Sequence, residues 1–324
     1  MNILLILGGW SSEREVSLNS GAVIEKALVQ LGHSVACFDP ISSLDGLLSA
    51  AREADFAFIA LHGSPGEDGL IQAMLESVGC PYQGAGPAGS FLALNKAAAK
   101  EVFRSNGLLT PNWTLLATRP ESGWQPPFTY PLFIKSNTGG SSLGMERVAS
   151  AAELSGALDR LFARGGEYIV EPAIEGLEVT CGVLGFPDAA GSITERALPP
   201  ILIRPKSPAS AAGTFFDYVS KYTPGAAEEI CPAPLPEEII RTVQEASLAA
   251  HRALGLSDYS RADFIVQENG SVMLLEVNTL PGMTATSLLP QEAAVVGLSF
   301  EQLIDRLIQL GFSDEHKTRN RRGK

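Results

Sequence analysis

The sequence predicts an α/β fold that opens with a doubly wound parallel-sheet domain. Short apolar runs alternate with helical patterns over roughly the first ninety residues, an order typical of parallel strands joined by crossover helices. Near the other end of the chain, two apolar runs flank Asn269-Gly270, which is the strongest short-range signal of a β-hairpin. The chain has 324 residues and is 45% hydrophobic, which suffices for two or three compact domains.

The first domain is predicted over residues 1–92. Residues 2–7 form an apolar run of the buried-strand type. Ser12 and Glu15 then form a capping-box pattern that opens a helix, and Gly32 ends that helix. Two further strands are predicted at 34–38 and 55–61, with helices near 44–52 and 70–77.

The loops after the first and third of these strands carry candidate ligand-binding residues. They read GGWSSEREVS, which contains Glu13, and LHGSPGEDG, which contains His62. Open α/β sheets bind ligands at loops of this kind. The alternatives are a Glu13 that complements a helix dipole and a His62 that caps or packs. Gly8-Gly9 lacks the G-x-G-x-x-G spacing, so the sequence does not predict a nicotinamide cofactor.

A second domain is predicted over residues 93–176. Its distinctive stretch is PLFIKSNTGGSSLGM, in which a strand ends at Lys135 and a Gly/Ser-rich loop leads into a return strand at 145–148. Small side chains let backbone N–H groups approach phosphates closely, so this loop is a candidate phosphate-binding loop, with a flexible hairpin tip as the alternative. It is not a P-loop, because the lysine precedes the glycines. The remaining predicted elements are helices at 95–105 and 151–163 and strands at 113–116 and 167–171.

The third domain is predicted over residues 177–312. A strand at 191–203 leads into residues 204–227, which lack periodicity but contain several aromatic side chains. Long irregular loops in compact domains are often lids over a site, so we predict a mobile loop here. The tail at 313–324 is rich in basic residues and has no apolar side chain. It is therefore predicted to be disordered and is assigned no function. Helices are predicted at 236–254, 289–296 and 300–310.

Chemistry is concentrated in the hairpin RADFIVQENGSVMLLEVNTLPG at 261–282. A two-residue type I′ turn at Asn-Gly sets Asp263 opposite Glu276 and Arg261 opposite Asn278, all on one face. Facing carboxylates repel unless a cation lies between them, and hard oxygen ligands suit Mg²⁺ that also binds substrate phosphates. An ordinary Arg/Asp salt bridge on a solvated face is the alternative. The opposite face is predicted to point into the core and carries Ala262, Phe264, Val266, Met273, Leu275 and Val277.

Composition narrows the partners and the compartment. The net charge is -12, so a nucleic-acid partner is not predicted. The first residues form a strand without the basic segment and apolar stretch of an export signal, and no run is long enough to span a membrane. The four cysteines lack C-x-x-C pairing and are predicted to be reduced core thiols. These features predict a cytoplasmic protein that has no membrane partner.

Several sequence blocks occur in a recognisable order. They are GGWSSEREVSLNSG, LHGSPGEDG, LNKAAAK, FIKSNTGGSSLGM, GTFFDYVSKY, SRADF and LLEVNTLPGMTATSLLP. Together they resemble the D-alanine–D-alanine ligase family of ATP-grasp carboxylate–amine ligases, over residues 3–310. The resemblance implies a three-domain ATP-grasp fold in which the first domain binds substrate and the other two clasp ATP. It also implies two Mg²⁺ ions, for which Mn²⁺ can substitute, and a homodimer.

The resemblance implies a role for each candidate residue. Glu13 would bind the amino group of the first D-alanine, with His62 near its carboxylate, while Ser287 and Leu288 would hold the second D-alanine. The implied catalytic residues are Glu13, Ser141, Tyr222 and Arg261. The implied nucleotide contacts are Lys96, Lys135, Ser141, Ser142, Glu171, Ile174, Glu178 and Lys221. The implied metal ligands are Asp263, Glu276 and Asn278.

The implied reaction is ATP- and Mg²⁺-dependent ligation of two D-alanines through an acyl phosphate, for peptidoglycan precursor synthesis. Alternatives are an ATP-grasp ligase for a different amino-acid pair, a catalytically weak nucleotide-binding paralogue, and a kinase that releases a phosphorylated product. Tyr222 is similar to the residue of dipeptide-forming rather than ester-forming ligases. The family commonly has Glu-Lys where this chain has Glu171-Pro172. Proline has neither charge nor N–H, so we predict weaker ATP binding but an unchanged reaction.

Overall fold

The structure is a computed structural model that describes residues 1–140, 144–188, 192–205, 227–284 and 286–312. Some predicted features lie outside the described residues, namely Ser141, Ser142, Lys221, Tyr222, nearly all of the loop 204–227 and the tail 313–324. The helices of the described ranges are α1 (Arg14–Gln30), α2 (Leu44–Glu53), α3 (Leu70–Ser77), α4 (Pro87–Leu94), α5 (Lys96–Ser105), α6 (Ala151–Phe162), α7 (Glu237–Ala253), α8 (Leu288–Val295) and α9 (Phe300–Gly311). The strands are β1 (Asn2–Ile6), β2 (Ser34–Phe38), β3 (Phe56–Ile59), β4 (Thr114–Leu116), β5 (Leu132–Ser136), β6 (Met145–Val148), β7 (Tyr168–Pro172), β8 (Leu177–Pro187), β9 (Ile193–Ala197), β10 (Ile201–Pro205), β11 (Ala227–Ile230), β12 (Tyr259–Val266) and β13 (Val272–Asn278).

The first sheet is parallel and has the strand order β2-β1-β3. Leu4 of β1 pairs with Ala36 on one side and with Ala57 on the other. A further parallel bridge joins Ala57 to Tyr82. The side chains of β3 are buried throughout, as are those of β1 after its first residue, which is typical of strands covered on both faces. The predicted α/β class with a parallel N-terminal sheet is confirmed.

The core of the first sheet is completed by the end of the chain. Ile24 and Leu28 of α1 are fully buried in the same apolar cluster as Leu303 and Leu307 of α9. Helices α1 and α9 also pack directly against each other. The last helix therefore covers the first sheet, and this sheet is tied to the third one through the chain that leads to α9.

The start of α1 differs from the predicted capping box. The helix begins at Arg14, with Glu13 at the N-cap position and no capping hydrogen bond from its side chain. The nearby Ser11 hydroxyl accepts from the Glu13 N–H at 3.1 Å and donates to the His62 carbonyl at 2.7 Å. Ser11 thus joins the two predicted ligand-binding loops, and the N-cap position falls on Glu13, one residue after the predicted cap Ser12. The predicted end of α1 is confirmed, because Gly32 follows it with a φ of 83°.

The second sheet is antiparallel, with the order β4-β7-β5-β6. Helix α5 precedes it and is capped by Asn95, whose side chain accepts from the Ala98 N–H at 3.0 Å. This cap places Lys96 in the first helical turn. Pro172 ends β7 opposite Leu132. Because the neighbouring strand β4 stops opposite Val170, the missing N–H of the proline costs no ladder bond.

The third sheet has the order β11-β10-β8-β12-β13, and β9 also pairs with β8. The strand predicted at 191–203 is wrong as a single element, because β9 and β10 are separate strands. Pro199-Pro200 stands between them, and proline cannot continue a hydrogen-bonded ladder. The two strands pair with different parts of β8, β10 near Thr180 and β9 from Val183 onward.

The β12–β13 hairpin confirms the predicted pairing but not the predicted turn. Arg261 lies opposite Asn278 and Asp263 opposite Glu276. The loop, however, contains three residues, because the Gln267 N–H donates to the Ser271 carbonyl. Among its residues only Gly270 has a positive φ, of 83°, whereas a type I′ turn needs two.

A bulge in β13 corrects the register. The pairing shifts by one residue between Asp263 and Phe264, which cancels the extra loop residue before the polar face begins. The bulge also changes the core-facing residues of β13. Val272 and Leu274 are buried, whereas the predicted Met273 and Leu275 are only half-buried.

Two predictions from composition concern the whole chain. Among the described helices, none combines the length and apolarity needed to cross a bilayer. All four cysteines are free thiols. Cys80 and Cys181 are buried as predicted, and Cys231 is half-buried. Cys37 is exposed on β2, so the prediction of a core thiol is wrong there.

Candidate active site

The polar face of the β12–β13 hairpin centres on Asp263, which is 7% exposed. Arg261 binds it through two hydrogen bonds, Nε to Oδ1 at 2.9 Å and Nη2 to Oδ2 at 2.8 Å. The Thr180 hydroxyl donates to Oδ1 at 2.6 Å, and the Asn278 amide donates to Oδ2 at 3.1 Å. Burial disfavours the charge of Arg261, but the surrounding carboxylates, Asp263 first among them, together outweigh burial and raise the pKa of the guanidinium. The salt bridge left open as an alternative is therefore present.

The same face has the chemistry of a metal site. Asp263 and Glu276 lie directly opposite each other, and Glu276 Oε2 is 3.1 Å from Lys96 Nζ. Both facing carboxylates are thus balanced by cations, Arg261 and Lys96, which shows that this face requires positive charge. Within the described ranges, no group of three or more His, Cys, Asp or Glu side chains is arranged to hold a metal. Two carboxylates and the Asn278 amide nevertheless fit Mg²⁺, which takes few protein ligands and completes its shell with phosphates and water.

A cluster of lysines lies next to this face. Lys96 Nζ donates to the Gly139 carbonyl at 2.7 Å, which connects α5 to the start of the predicted phosphate loop. Lys135 forms an ion pair with Glu171 Oε1. Lys100, which sequence reasoning missed, lies 3.0 Å from Glu171 Oε2. The available signal was its spacing in LNKAAAK, because residues four apart share a helix face.

The charges of this cluster are set by competition between burial and ion pairing. Burial favours the neutral form of Glu171, but Lys135 and Lys100 outweigh burial and lower the pKa of the carboxyl group. Burial also opposes the charge of Lys135, yet Glu171 raises the pKa of that ammonium above its ordinary value. For Lys100, burial prevails and lowers the pKa. Glu171 is therefore a buried carboxylate held between two lysines.

The two N-terminal loops bring Glu13, His62 and Glu67 to the same place. Glu13 and His62 are buried, 6% and 9% exposed. A Cβ added to Gly140 would collide with the Glu13 carboxylate, so the predicted phosphate loop reaches this glutamate. Burial and the positive charge of Arg261 lower the pKa of His62 to about 4. His62 is therefore a neutral imidazole, consistent with both the packing alternative and a site role.

Glu67 belongs to the candidate ligand-binding loop LHGSPGEDG, but no role was predicted for it from the sequence. Its Oε2 accepts from the Gly63 N–H at 3.0 Å. Burial, followed by the nearby Glu13 carboxylate, raises the pKa of Glu67 to about 8. Glu13 and Glu67 thus form a pair in which one group carries a proton at neutral pH, a pattern common in functional sites.

Other predicted nucleotide-site residues lie around the lysine cluster. Ile174 is half-buried in the connection between β7 and β8, and Glu178 is half-buried on β8, where its charge raises the pKa of Lys135.

The predicted second-substrate residues begin α8. The Ser287 hydroxyl accepts from the Thr284 N–H at 3.0 Å and contacts the Thr284 hydroxyl at 2.8 Å. Leu288 is half-buried in the first turn. One helical turn later, the Oε1 atom of the fully buried Glu292 accepts from the Gly182 N–H at 2.9 Å. Gly182 lies directly opposite Arg261 across β8 and β12, so α8 is fixed to the strand beside the arginine.

The geometry therefore joins acidic and basic groups from all three sheets. The first sheet contributes Glu13, His62 and Glu67. The charge of Lys96 lowers the carboxyl pKa of Glu67 and the charge of Glu276 raises it, so Glu67 lies near both groups. Helix α5 and the second sheet contribute the lysines, and the third sheet contributes the hairpin face. Such a site can bind an anion with several charges and hold two small polar substrates beside it.

Comparison with known proteins gives a consistent result. A family model described as D-ala D-ala ligase C-terminus matches residues 102–309, and one described as D-ala D-ala ligase N-terminus matches residues 42–85. The D-alanine–D-alanine ligase of Oleidesulfovibrio alaskensis is 63% identical over 317 residues, covering 98% of each chain.

Solved structures agree with the sequence matches. The D-alanine–D-alanine ligase of Bacillus anthracis in complex with ATP is 32% identical, with a TM-score of 0.80 over 99% of each chain. The VanG D-Ala:D-Ser ligase of Enterococcus faecalis is 29% identical, with a TM-score of 0.80 over 96% of this chain and 99% of the other.

Proposed function

Because the chain belongs to the D-alanine–D-alanine ligase family, we propose that it joins two D-alanines to D-alanyl-D-alanine with ATP and Mg²⁺. The observation that carries this proposal is that three groups converge on one site. Glu13 lies against Gly140, Lys96 bonds to the neighbouring Gly139 carbonyl, and the Arg261–Asp263 pair lies on the hairpin face beside them. A carboxylate is a poor electrophile and must be activated before an amine can attack it. The product is a dipeptide suited to the synthesis of peptidoglycan precursors.

In the first step the γ-phosphoryl group of ATP is transferred to a carboxylate oxygen of the first D-alanine, and ADP leaves. Glu13 binds its ammonium group, and the neutral Glu67 keeps a second negative charge away from that position. Lys96 and Lys135 hold the phosphates of ATP, under a loop that includes Ser141 and Ser142. Asp263, Glu276 and Asn278 would hold Mg²⁺, which would neutralise phosphate charge. Arg261 stabilises the negative charge that develops on the transferred group.

The second step is attack on the acyl phosphate. The amine of the second D-alanine, held at Ser287 and Leu288, attacks the carbonyl carbon, and phosphate leaves. Arg261 lies beside the reacting carbonyl and stabilises the tetrahedral oxyanion. An acyl phosphate hydrolyses readily, so water must be excluded during this step. We assign that role to the segment that contains Lys221 and Tyr222, which lies outside the described residues.

Nucleotide binding rests on Lys96 and Lys135 together with Glu171, Ile174 and Glu178. Pro172 stands where the family commonly has a lysine, so we propose that ATP binds more weakly here than in relatives that have that lysine. A dissociation constant for ATP equal to theirs would contradict this part of the proposal. Mn²⁺ is expected to substitute for Mg²⁺, because both prefer oxygen ligands.

The test is ATP- and Mg²⁺-dependent phosphate release with D-alanine, with the product identified by mass. D-alanyl-D-alanine formation supports the proposal. Product formed only with another second amino acid would indicate a different substrate pair, for which the named D-Ala:D-Ser ligase supplies a precedent. Stable phosphorylated D-alanine would indicate a kinase, and nucleotide binding without turnover would indicate a catalytically weak paralogue.

We further propose a cytoplasmic homodimer. Its substrates are small polar molecules, and ATP is available inside the cell. Sedimentation of the purified chain at micromolar concentration tests the assembly, and a purely monomeric species would contradict it. Fractionation of cells tests the location.

A further inference from the structure

Lys100 is a fully buried lysine to which the proposed reaction assigns no role. It is 1% exposed on α5, and its Nζ donates to the Thr110 hydroxyl at 2.8 Å and to the Pro111 carbonyl at 3.1 Å. The same ammonium lies 3.0 Å from Glu171 Oε2 and over the ring of Trp113. A buried lysine is costly unless it is paired, and this one shares its only described carboxylate with a second lysine.

Because Glu171 pairs with both Lys100 and Lys135, it determines how much positive charge Lys135 can offer to a ligand. Glu171 is 2% exposed and has one oxygen on Lys100 and the other on Lys135. Lys135 is the outer member, with 18% of its side chain exposed. Two ammonium groups and one carboxylate leave the trio one positive charge in excess, and only Lys135 can present it to a ligand. Without Lys100, Glu171 would neutralise Lys135 completely.

We propose that Lys100 is a positioning residue of the nucleotide site, which engages Glu171 so that Lys135 can present its charge to the phosphates of ATP. The proposal rests on the proposed function for the role of Lys135. Lys100 itself does not touch the nucleotide. Its effect passes through one buried carboxylate, so it should act on phosphate binding and not on the adenosine part of the ligand.

The experiment measures calorimetric binding of a non-hydrolysable ATP analogue with Mg²⁺, and separately of adenosine, to the full chain. Lys100→Met is expected to weaken analogue binding about tenfold, or ~1.4 kcal/mol, and to leave adenosine binding unchanged. In steady-state assays the KM for ATP should rise by a similar factor with little change in kcat. Lys100→Arg keeps the charge and should restore analogue binding.

Two further variants separate this role from a structural one. Thr110→Val removes one hydrogen bond of Lys100 but keeps its ammonium group against Glu171, so it should lower stability without changing analogue binding. Lys100→Gln supplies a second neutral side chain that can still bond to Thr110, and should reproduce the binding loss if the methionine variant does not fold. Equal analogue binding by the wild type and the neutral variants overturns this inference alone, as does an equal loss for both ligands. A wild-type chain that binds no analogue overturns the proposed function with it.

Discussion

At the scale of single residues, the most informative groups are acids whose protonation is set by burial. Glu67 and Glu292 both have a carboxyl pKa raised to about 8, mainly by burial. Glu67 is close enough to Glu13 for the two charges to interact. Glu292 lies on α8 and interacts electrostatically with Arg261. In both positions a neutral carboxyl group satisfies a backbone N–H without adding a negative charge to the site. Sequence alone could not reveal this, because protonation depends on neighbours that only the fold brings together.

The first prediction concerns Glu67 and pH. Between the ordinary glutamate pKa of 4.5 and the raised value of about 8, the folded chain holds a proton that the unfolded chain has released. Stability is therefore lost as pH rises through this window. Glu67→Gln keeps an acceptor for the Gly63 N–H but cannot ionise. As pH rises, the melting temperature of the variant should therefore increase relative to that of the wild type.

The measurement is thermal unfolding of both proteins from about pH 5 to about pH 8.5. Glu53→Gln, at an exposed position on α2, is the matched control and should follow the wild type. A constant difference between Glu67→Gln and the wild type across that range would show that Glu67 does not carry the extra proton.

The second prediction concerns Glu292. Its Oε1 accepts from the Gly182 N–H, while Oε2 is buried without a hydrogen-bond partner among the described residues. Glu292→Ala leaves the N–H unsatisfied and opens a cavity, so we expect a loss of about 2–3 kcal/mol in the free energy of unfolding. Glu292→Gln keeps the acceptor and should cost less than about 1 kcal/mol.

Urea unfolding of the two variants makes this comparison, and their kcat/KM values provide a second readout. Because Gly182 lies opposite Arg261, the alanine variant should also lose activity. Equal stability of the two variants would contradict a role for the hydrogen bond.

At the scale of elements, the hairpin shows which parts of a structure sequence reasoning can reach. The positions of Arg261, Asp263, Glu276 and Asn278 were predicted because strand alternation puts all four on one face, and the structure confirms their pairing. The turn type was not predicted correctly, and of the three residues of β13 predicted to face the core only Val277 is buried. An extra loop residue and a bulge cancel each other, and neither leaves a separate signal in the pattern of apolar residues. Helix α4 was missed for a related reason, because PAGSFLAL has little polar residue content to define a face.

The third prediction tests that loop. Gly270 alone adopts a left-handed backbone, with a φ of 83°, so Gly270→Ala should cost about 1 kcal/mol in the free energy of unfolding. Asn269 contributes one exposed hydrogen bond, from the Ser271 N–H at 3.0 Å. Asn269→Ala should therefore cost about half as much or less. A type I′ turn would instead strain at both positions, so equal and large losses in urea unfolding would contradict the three-residue loop.

At the scale of the whole molecule, helix α9 near the end of the described chain packs against helix α1 near its start. The predicted segments each contain one sheet, and their boundaries at 92, 176 and 312 remain predictions. Sequence pattern indicates which face of α9 is buried but not what it is buried against. The structure places that face on α1, in the core of the first sheet. The third sheet carries the hairpin, so the chain that leads from the hairpin to α9 connects the third sheet to the core of the first.

The last prediction follows from the packing of α9 against α1. Leu307 is fully buried in the cluster that contains Ile24 and Leu28, so Leu307→Ala should lower the free energy of unfolding by about 3 kcal/mol. Leu177→Ala, at a residue 47% exposed on β8, is the control and should change stability little. If α9 also fixes the first sheet against the third, the KM for D-alanine should rise in Leu307→Ala at temperatures where the protein is still folded. Urea unfolding and steady-state kinetics on the same preparations provide both values. A large loss of stability with an unchanged KM would mean that α9 stabilises the first sheet without positioning Glu13 and His62 against the hairpin face.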